Sequence, residues 1–172
     1  MAELAISGDT HPILNDDYAS EWMGIQVLSL GDGRATIRMT LRQEMLNGFG
    51  MAHGGMVFAF GDTAFALACN PAIPGSAPGP DAAGTITVAA GVDINFLKPA
   101  YRGQVLTAVA NRRASAGRSG LYDIQIYAAA PGADAAPAAS LAGISSAATA
   151  ADTPPGELIA EFRGRSRTIA KK

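Results

Sequence analysis

The sequence predicts an α+β domain, and three observations predict it. Residues 51 to 70, MAHGGMVFAFGDTAFALACN, hold one long apolar helix from about Gly54 to Cys69. Ahead of it, Ala35, Ile37, Met39 and Leu41 alternate with Arg34, Thr36, Arg38 and Thr40, the period of a strand with one wet face. Behind it, strand-like runs recur at Thr85 to Leu97, Val105 to Ala114, Leu121 to Ala128 and Glu157 to Ile169. Long antiparallel strands around one buried helix make an α+β domain.

In chain order, the first element is an N-terminal helix over about residues 11 to 23, where Ile13, Leu14, Tyr18 and Trp22 stand at roughly helical spacing after Pro12. Ile25 to Leu30 and Arg34 to Leu41 flank a Gly31-Asp32-Gly33 turn and read as a β-hairpin. The loop RQEMLNGFGMA leads into the apolar helix, which is about four turns long. Asn70-Pro71 ends that helix, because proline removes a donor and restricts the residue before it. PAIPGSAPGPDAAG is too rich in Pro and Gly for regular structure, and Pro99 to Gly103 and Ala116 to Gly120 supply later turns. From 129 to 156 the chain is Ala, Pro, Gly, Ser and Thr with scarcely any large apolar residue. Such a stretch buries too little surface to offset its ordering entropy, so it reads as a low-complexity loop insertion. In the last segment Leu158, Ala160 and Phe162 fall on one side.

A chain of 172 residues is sized for a single domain, 1 to 172. Charged residues are 16% and hydrophobic residues 48%, against about a quarter charged in an ordinary globular protein, which leaves apolar surface for a subunit interface. The net charge is −2, and the basic residues are scattered until FRGRSRTIAKK, which is not the broad basic face of a nucleic-acid binder. MAELAISGDTHP lacks the features of a signal peptide, and no apolar run reaches the roughly 20 residues that cross a bilayer. The expectation is a cytoplasmic protein with no nucleic-acid or membrane partner. A single cysteine, Cys69, excludes an internal disulfide, and its place on the apolar helix reads as a buried inert thiol.

An unpaired carboxylate is expensive inside an apolar segment, yet Asp62 stands in the middle of this one. Either it caps something, pairs with a strand Arg or faces solvent, or it is a desolvated general base or nucleophile. His53-Gly54-Gly55 stands where the helix begins, and a helix start offers unpaired N–H groups with partial positive charge. Gly54 or Gly55 is therefore a candidate oxyanion hole for a polarised carbonyl, the alternative being tight helix packing. Together with Asp62 the pair suggests acyl transfer or hydrolysis. Asp62 lies eight residues past Gly54, roughly 12 Å along the axis, whereas a reacting carbonyl must lie about 3 Å from donor and attacker alike. A two-fold axis setting two such helices antiparallel solves this, so the spacing predicts an obligate homodimer with composite sites.

Asn47, on the preceding loop, either holds the water or carbonyl through its amide or simply forms the Asn47-Gly48 turn. His53 orients the carbonyl or caps the helix. Thr63 stabilises the carboxylate or bonds back to the helix. Phe58, one turn before Asp62, joins Gly55 and Thr63 as a substrate-contacting candidate. Two His and one Cys, widely separated, make no convincing metal site, and neither a Ser-His-acid set nor a phosphate-binding Gly loop is signalled. No metal and no cofactor are expected.

MLNGFGMAHGGMVFAFGDTAFALACN closely resembles the active-site segment of the PaaI-type hotdog thioesterases, the phenylacetyl-CoA thioesterases of bacterial phenylacetate degradation. The likeness continues in VDINFLKPAYRGQVLTAVA, GRSGLYDIQIY and EFRGRSRTI, from about Met23 to Ile169 except for the two loop insertions. The resemblance implies a hotdog fold, a long central helix wrapped by an antiparallel sheet, assembling as a dimer and commonly as a homotetramer. It implies that Asp62 is the general base or nucleophile, that Gly54 gives the oxyanion N–H, and that Asn47 and His53 line the site. Some related thioesterases carry a Ser or Thr near the catalytic water, where TVAAGVDIN has Ala89, Ala90 and Gly91. The CoA nucleotide needs basic contacts, for which Arg118, Arg163 and Arg165 are candidates, the alternative being solvated arginines. The implied reaction is hydrolysis of phenylacetyl-CoA or a hydroxylated relative, with CoA part of the substrate. Its rivals are a thioesterase for other short- or medium-chain acyl-CoA, a non-catalytic acyl-CoA binding module, and a hotdog hydratase, for which no further Asp-His pair is present.

Overall fold

The computed structural model describes residues 11–70, 84–132 and 155–170; most of the loop after the apolar helix and of the 129–156 insertion lies outside them. Six strands, β1 (Gln26–Gly31), β2 (Arg34–Thr40), β3 (Thr85–Phe96), β4 (Val105–Ala116), β5 (Ser119–Ala129) and β6 (Glu157–Ala170), form one sheet in the order β1-β2-β4-β5-β6-β3. Every neighbouring pair is antiparallel. Two helices, α1 (Tyr18–Met23) and α2 (Gly54–Cys69), complete it. The bounds of α2 are those read from the sequence, because His53 caps its start and the Asn70 amide closes its end on Ala66 and on Thr87 of β3.

Strand alternation builds the core. Ala35, Ile37 and Met39 of β2, Leu106, Ala108 and Ala110 of β4, Ile124 and Ile126 of β5, and Phe162 of β6 are all buried on the face that meets α2. The sheet wraps the helix closely because two glycines meet large side chains. A Cβ on Gly61 would stand 3.0 Å from the Phe162 ring, and one on Gly164 2.7 Å from the buried Phe65 ring. Gly164→Ala tests the second contact. Relief of glycine's backbone entropy favours alanine by about 0.5–1 kcal/mol, but overpacking a close-packed site costs about 1–3 kcal/mol. The steric effect wins, so the urea midpoint is expected to fall; a midpoint that holds or rises would contradict this packing.

Two expectations need correction. The stretch 11–23 is not one helix. A short 3-10 turn, Pro12–Leu14, is separated from α1 because Asp16 takes a positive φ of 57° and Asp17 caps α1 through the Ser20 N–H. Arg42 then closes the far end of α1 by donating to the Trp22 and Met23 carbonyls, with its guanidinium 5.2 Å from the Trp22 ring. In β6, a bulge leaves Ile159 out of the β5 pairing between Leu158 and Ala160. The side-chain alternation shifts there, so Ile159 enters the core and Leu158 is only half-buried.

The leading segment is tied to α2 by a buried histidine. His11 bonds through Nε2 to the Asn70 carbonyl, and its Nδ1 accepts the Ile13 N–H. Only a neutral ring with its proton on Nε2 satisfies both, and burial holds the His11 pKa below its usual value. The unfolded chain takes up a proton near pH ~6.5 that the folded chain refuses, so this stability is complete above that pH and declines below it. His11→Ala is therefore expected to flatten the loss of urea stability between about pH 7.5 and about pH 5.5. An equal slope in both proteins would remove His11 from the explanation.

Candidate active site

The loop before α2 is shaped by its own polar groups. A 3-10 turn at Gln43–Met45 is followed by bridges from Leu46 to Ala52 and from Met51 to Tyr101. Asn47 Oδ1 accepts the N–H of Phe49 at 2.9 Å and of Met51 at 3.3 Å. Asn47 is thus the turn former, and its side-chain nitrogen keeps no partner among the described residues.

At the start of α2 nearly every backbone donor is used. The His53 N–H reaches the Met45 carbonyl, the Gly55 N–H bonds to His53 Nδ1 at 3.0 Å, and the Met56 N–H bonds to the His53 carbonyl. Gly54 alone keeps an N–H without a partner among the described residues. Of the two glycines, then, Gly54 has the free donor at the positive end of the helix, and Gly55 has spent its donor on the cap. His53 does cap the helix, and a neutral ring accepting at Nδ1 carries its proton on the exposed Nε2.

A cavity of about 370 Å³ opens beside Gly54. Met51, Val57, Phe96, Leu97 and Ile159 make most of its wall, and Lys98 is the one charged residue that lines it. The Phe96 ring stands so near Gly54 that a Cβ there would lie 3.3 Å from it. Lys98 is ion-paired with Glu157.

Asp62 sits two turns further along α2. Its carboxylate is half-buried and makes no hydrogen bond or ion pair among the described residues, and burial pushes its pKa above the usual carboxylate value. It caps nothing and pairs with no arginine there. Gly54 and Asp62 of one chain remain roughly 12 Å apart along the axis, so a single protomer does not bring them together. Phe58, one turn earlier, is 38% exposed, with its ring 5.5 Å from that of Phe162. The Thr63 hydroxyl donates to the Ala59 carbonyl and touches Ser20 of α1, so it serves the contact between the helices.

Beside this flank runs β3, the end strand of the sheet. It is 12 residues long, its outer edge is unpaired, and it leaves Ile86 and Phe96 exposed and Val88, Val92 and Ile94 half-exposed. A long apolar edge strand invites pairing with another chain.

The arginine candidates lie elsewhere. Arg118 is in the β4–β5 turn, where its carbonyl accepts the Thr168 N–H. The β3–β6 register puts Thr168 opposite Thr87, eight residues along β6 from the Ala160–Phe96 pair near Gly54, roughly 26 Å along the strand. Arg163 is paired with Asp123 at 2.7 Å. Arg165 lies over Gly91, where a Cβ would meet its Nη2 at 2.6 Å. The β3 bulge between Ala89 and Gly91 therefore carries an arginine headgroup and no side-chain hydroxyl of its own. Cys69 is buried, and its thiol pKa is pushed up to about 12, which suits an inert packing residue. Among the described residues no His, Cys, Asp and Glu cluster able to hold a metal ion is present.

Phe96 and Lys98 were not singled out by sequence reasoning. They sit inside NFLKPA, but nothing in residue type or period says that the end of β3 folds back against the start of α2.

Comparison with known proteins gives consistent matches. The pattern described as Thioesterase superfamily matches residues 49–134. The chain is 36% identical over 118 residues to acyl-coenzyme A thioesterase PaaI of Escherichia coli K12, a match covering 69% of this chain and 76% of that protein. The structure of the E. coli PaaI protein, from the phenylacetic acid degradation operon, superposes with a TM-score of 0.69 at 28% identity, covering 100% of this chain and 99% of that one. The TT0310 protein of Thermus thermophilus superposes with a TM-score of 0.63 at 26% identity, covering 88% and 97%.

Proposed function

The chain belongs to the thioesterase superfamily and is a hotdog-fold acyl-CoA thioester hydrolase of the PaaI type, and from that premise we propose that its acyl group is phenylacetyl or hydroxyphenylacetyl. The reading extends to a homodimer, assembling further to a tetramer, in which two β3 edges pair and the two α2 helices run antiparallel. Asp62 of one protomer then faces Gly54 of its twin across each of two identical sites. The observation that carries this is the pairing of deficits in one chain: a free N–H at Gly54 and an unpartnered, desolvated carboxylate at Asp62, too far apart to share a carbonyl.

In this arrangement the thioester oxygen accepts the Gly54 N–H, where the helix dipole favours the negative charge that develops as the carbonyl carbon becomes tetrahedral. Asp62 either attacks that carbon or takes a proton from the water that does. Collapse of the intermediate breaks the C–S bond. In the general-base branch the thiolate takes the proton Asp62 had accepted and the free acid leaves. In the nucleophilic branch the thiolate takes a proton from water, and a second water hydrolyses the Asp62 acyl anhydride, releasing the acid and restoring the carboxylate. In this reading the Asn47 side-chain nitrogen, oriented by its oxygen's two backbone bonds, donates to the water or the carbonyl. The chemistry needs no metal or redox cofactor, and a cytoplasmic setting fits a CoA thioester substrate.

Thiol release with phenylacetyl-CoA, its hydroxylated relatives and a panel of acyl chains tests the reading. Fastest release from the aryl-acetyl thioesters is expected. A maximum on straight short or medium chains would reassign the substrate, and tight binding without release would make this a binding module.

A further inference from the structure

Resting on the composite-site reading, we propose that Phe58 stands on the two-fold axis between two copies of this chain, where its ring packs on its twin and fixes the acid-to-donor spacing of both sites. The helix itself sets the place. Gly54, Phe58 and Asp62 recur every four residues, so they lie along one ridge of α2. Phe58 is midway between the other two. An axis that sets Asp62 of each chain against Gly54 of the other therefore sets Phe58 against itself. This ridge is the side of α2 that the sheet leaves open: Phe58 is 38% exposed, whereas Val57, Phe60, Phe65 and Leu67 of the same helix are buried. A second copy covers that ring, which is favourable. Charge favours the same docking, because each Asp62 carboxylate then meets the positive end of its partner's helix.

The sheet places the same axis. The Phe58 ring lies 5.5 Å from the Phe162 ring, and Phe162 of β6 pairs with Ile94 of β3. Phe58 and Ile94 thus share one level of the fold, and Ile94 packs half-exposed against the core at the unpaired edge. An axis through Phe58 and perpendicular to the sheet crosses that edge at Ile94, so the two β3 strands pair antiparallel with Val92 of one opposite Phe96 of the other. Both ends of this pairing agree with the helix. Phe96 stands against Gly54, and Val92 pairs with Gly164, which stands against Phe65, three residues past Asp62. Pairing Val92 with the facing Phe96 therefore carries the Asp62 end of one helix to the Gly54 end of the other. Helix and strand rise by different amounts per residue, yet they give one axis.

Phe58 is thereby a positioning residue and not a substrate contact. Two rings meeting on the axis hold the helices at one separation, and that separation sets how far each Asp62 lies from the Gly54 N–H it faces. One pair of side chains tunes both sites.

Single-cysteine cross-linking tests the axis without turnover. The native Cys69 is buried with its thiol pKa pushed up to about 12, so it stays silent. Phe58→Cys and Ile94→Cys are each expected to give a disulfide-linked dimer on brief copper–phenanthroline oxidation, because a position on the axis meets its own copy near the ~4.4–6.8 Å Cα separation that a disulfide spans. Ala66→Cys lies on the same ridge but about 24 Å from its copy, and is expected to run as a monomer on denaturing gels. Phe58→Ala is expected to lower kcat about 10²-fold, the effect of moving a reacting group by about 1 Å, with KM within about threefold. Phe58→Leu should retain most of the wild-type kcat. No cross-link at either axial position, or one at Ala66→Cys, overturns the proposal. So does a Phe58→Ala protein with raised KM, altered acyl preference and unchanged kcat, which would put the ring on the substrate. Failure of the thioesterase reading shows separately, as absence of thiol release by wild-type protein from any acyl-CoA, and would leave the cross-links unchanged.

Discussion

Asp62→Asn is expected to lower kcat for the preferred acyl-CoA by about 10²–10⁴-fold, the usual contribution of a positioned general base, with KM changed only a few-fold. The substitution keeps size and polarity and removes the one group able to accept the proton or attack the carbonyl. In the wild-type protein the acid limb of kcat/KM is expected above the usual carboxylate range, because burial raises the Asp62 pKa and the reactive form is the ionised one. The same burial predicts an opposite effect on stability. A carboxyl whose folded pKa is raised stabilises the fold only while protonated, and that stability is lost as the pH rises through the folded pKa. At neutral pH the ionised Asp62 is therefore a strain on the fold, so Asp62→Asn should raise the urea midpoint while it removes activity. The gain should vanish in acid, where wild-type Asp62 is protonated. A variant with wild-type kcat, or one that is both inactive and less stable at neutral pH, would contradict the role assigned to Asp62.

Mixed dimers of two inactive variants are expected to recover activity. Gly54→Pro removes the free N–H at a position where proline suits a helix start, and His53 already holds φ −66° and ψ 130°, the extended conformation required before proline. Its kcat should fall about 10²–10³-fold, as for loss of an oxyanion donor. When Gly54→Pro and Asp62→Asn chains are refolded together, half the dimers are mixed. Each mixed dimer joins the intact Asp62 of one chain to the intact Gly54 of the other at one of its two sites, so about a quarter of wild-type activity should return. If each site belonged to one chain, the mixture would stay as inactive as its components.

Much of the fold is legible because its elements are set by local period. The alternation in β2 and the largely apolar run of α2 each bury one side whatever their neighbours are, and Asn70 closes the helix with its own amide. Where reading failed, a neighbour decided. The leading helix is broken by Asp16 and Asp17, whose short side chains favour turns and caps over helix interiors. Ile159 replaces Leu158 in the core because a bulge against β5 changes the count along β6. Both changes come from backbone geometry to which hydrophobic pattern is blind.

The candidate site divides along the same line. Sequence by itself determined that a carboxylate stands within an apolar helix, that glycines open that helix, and that eight residues keep the two apart, since residue type and helical rise need no partner to define them. Only the tertiary structure decided that Gly54 and not Gly55 keeps a free N–H, that Thr63 is taken up by α1, and that Phe96 and Lys98 come to the mouth of α2. Those outcomes depend on which hydrogen bonds and contacts are already occupied: at Gly55 the rotamer of the neighbouring His53 ring decides, and at Thr63, Phe96 and Lys98 segments distant in the chain do.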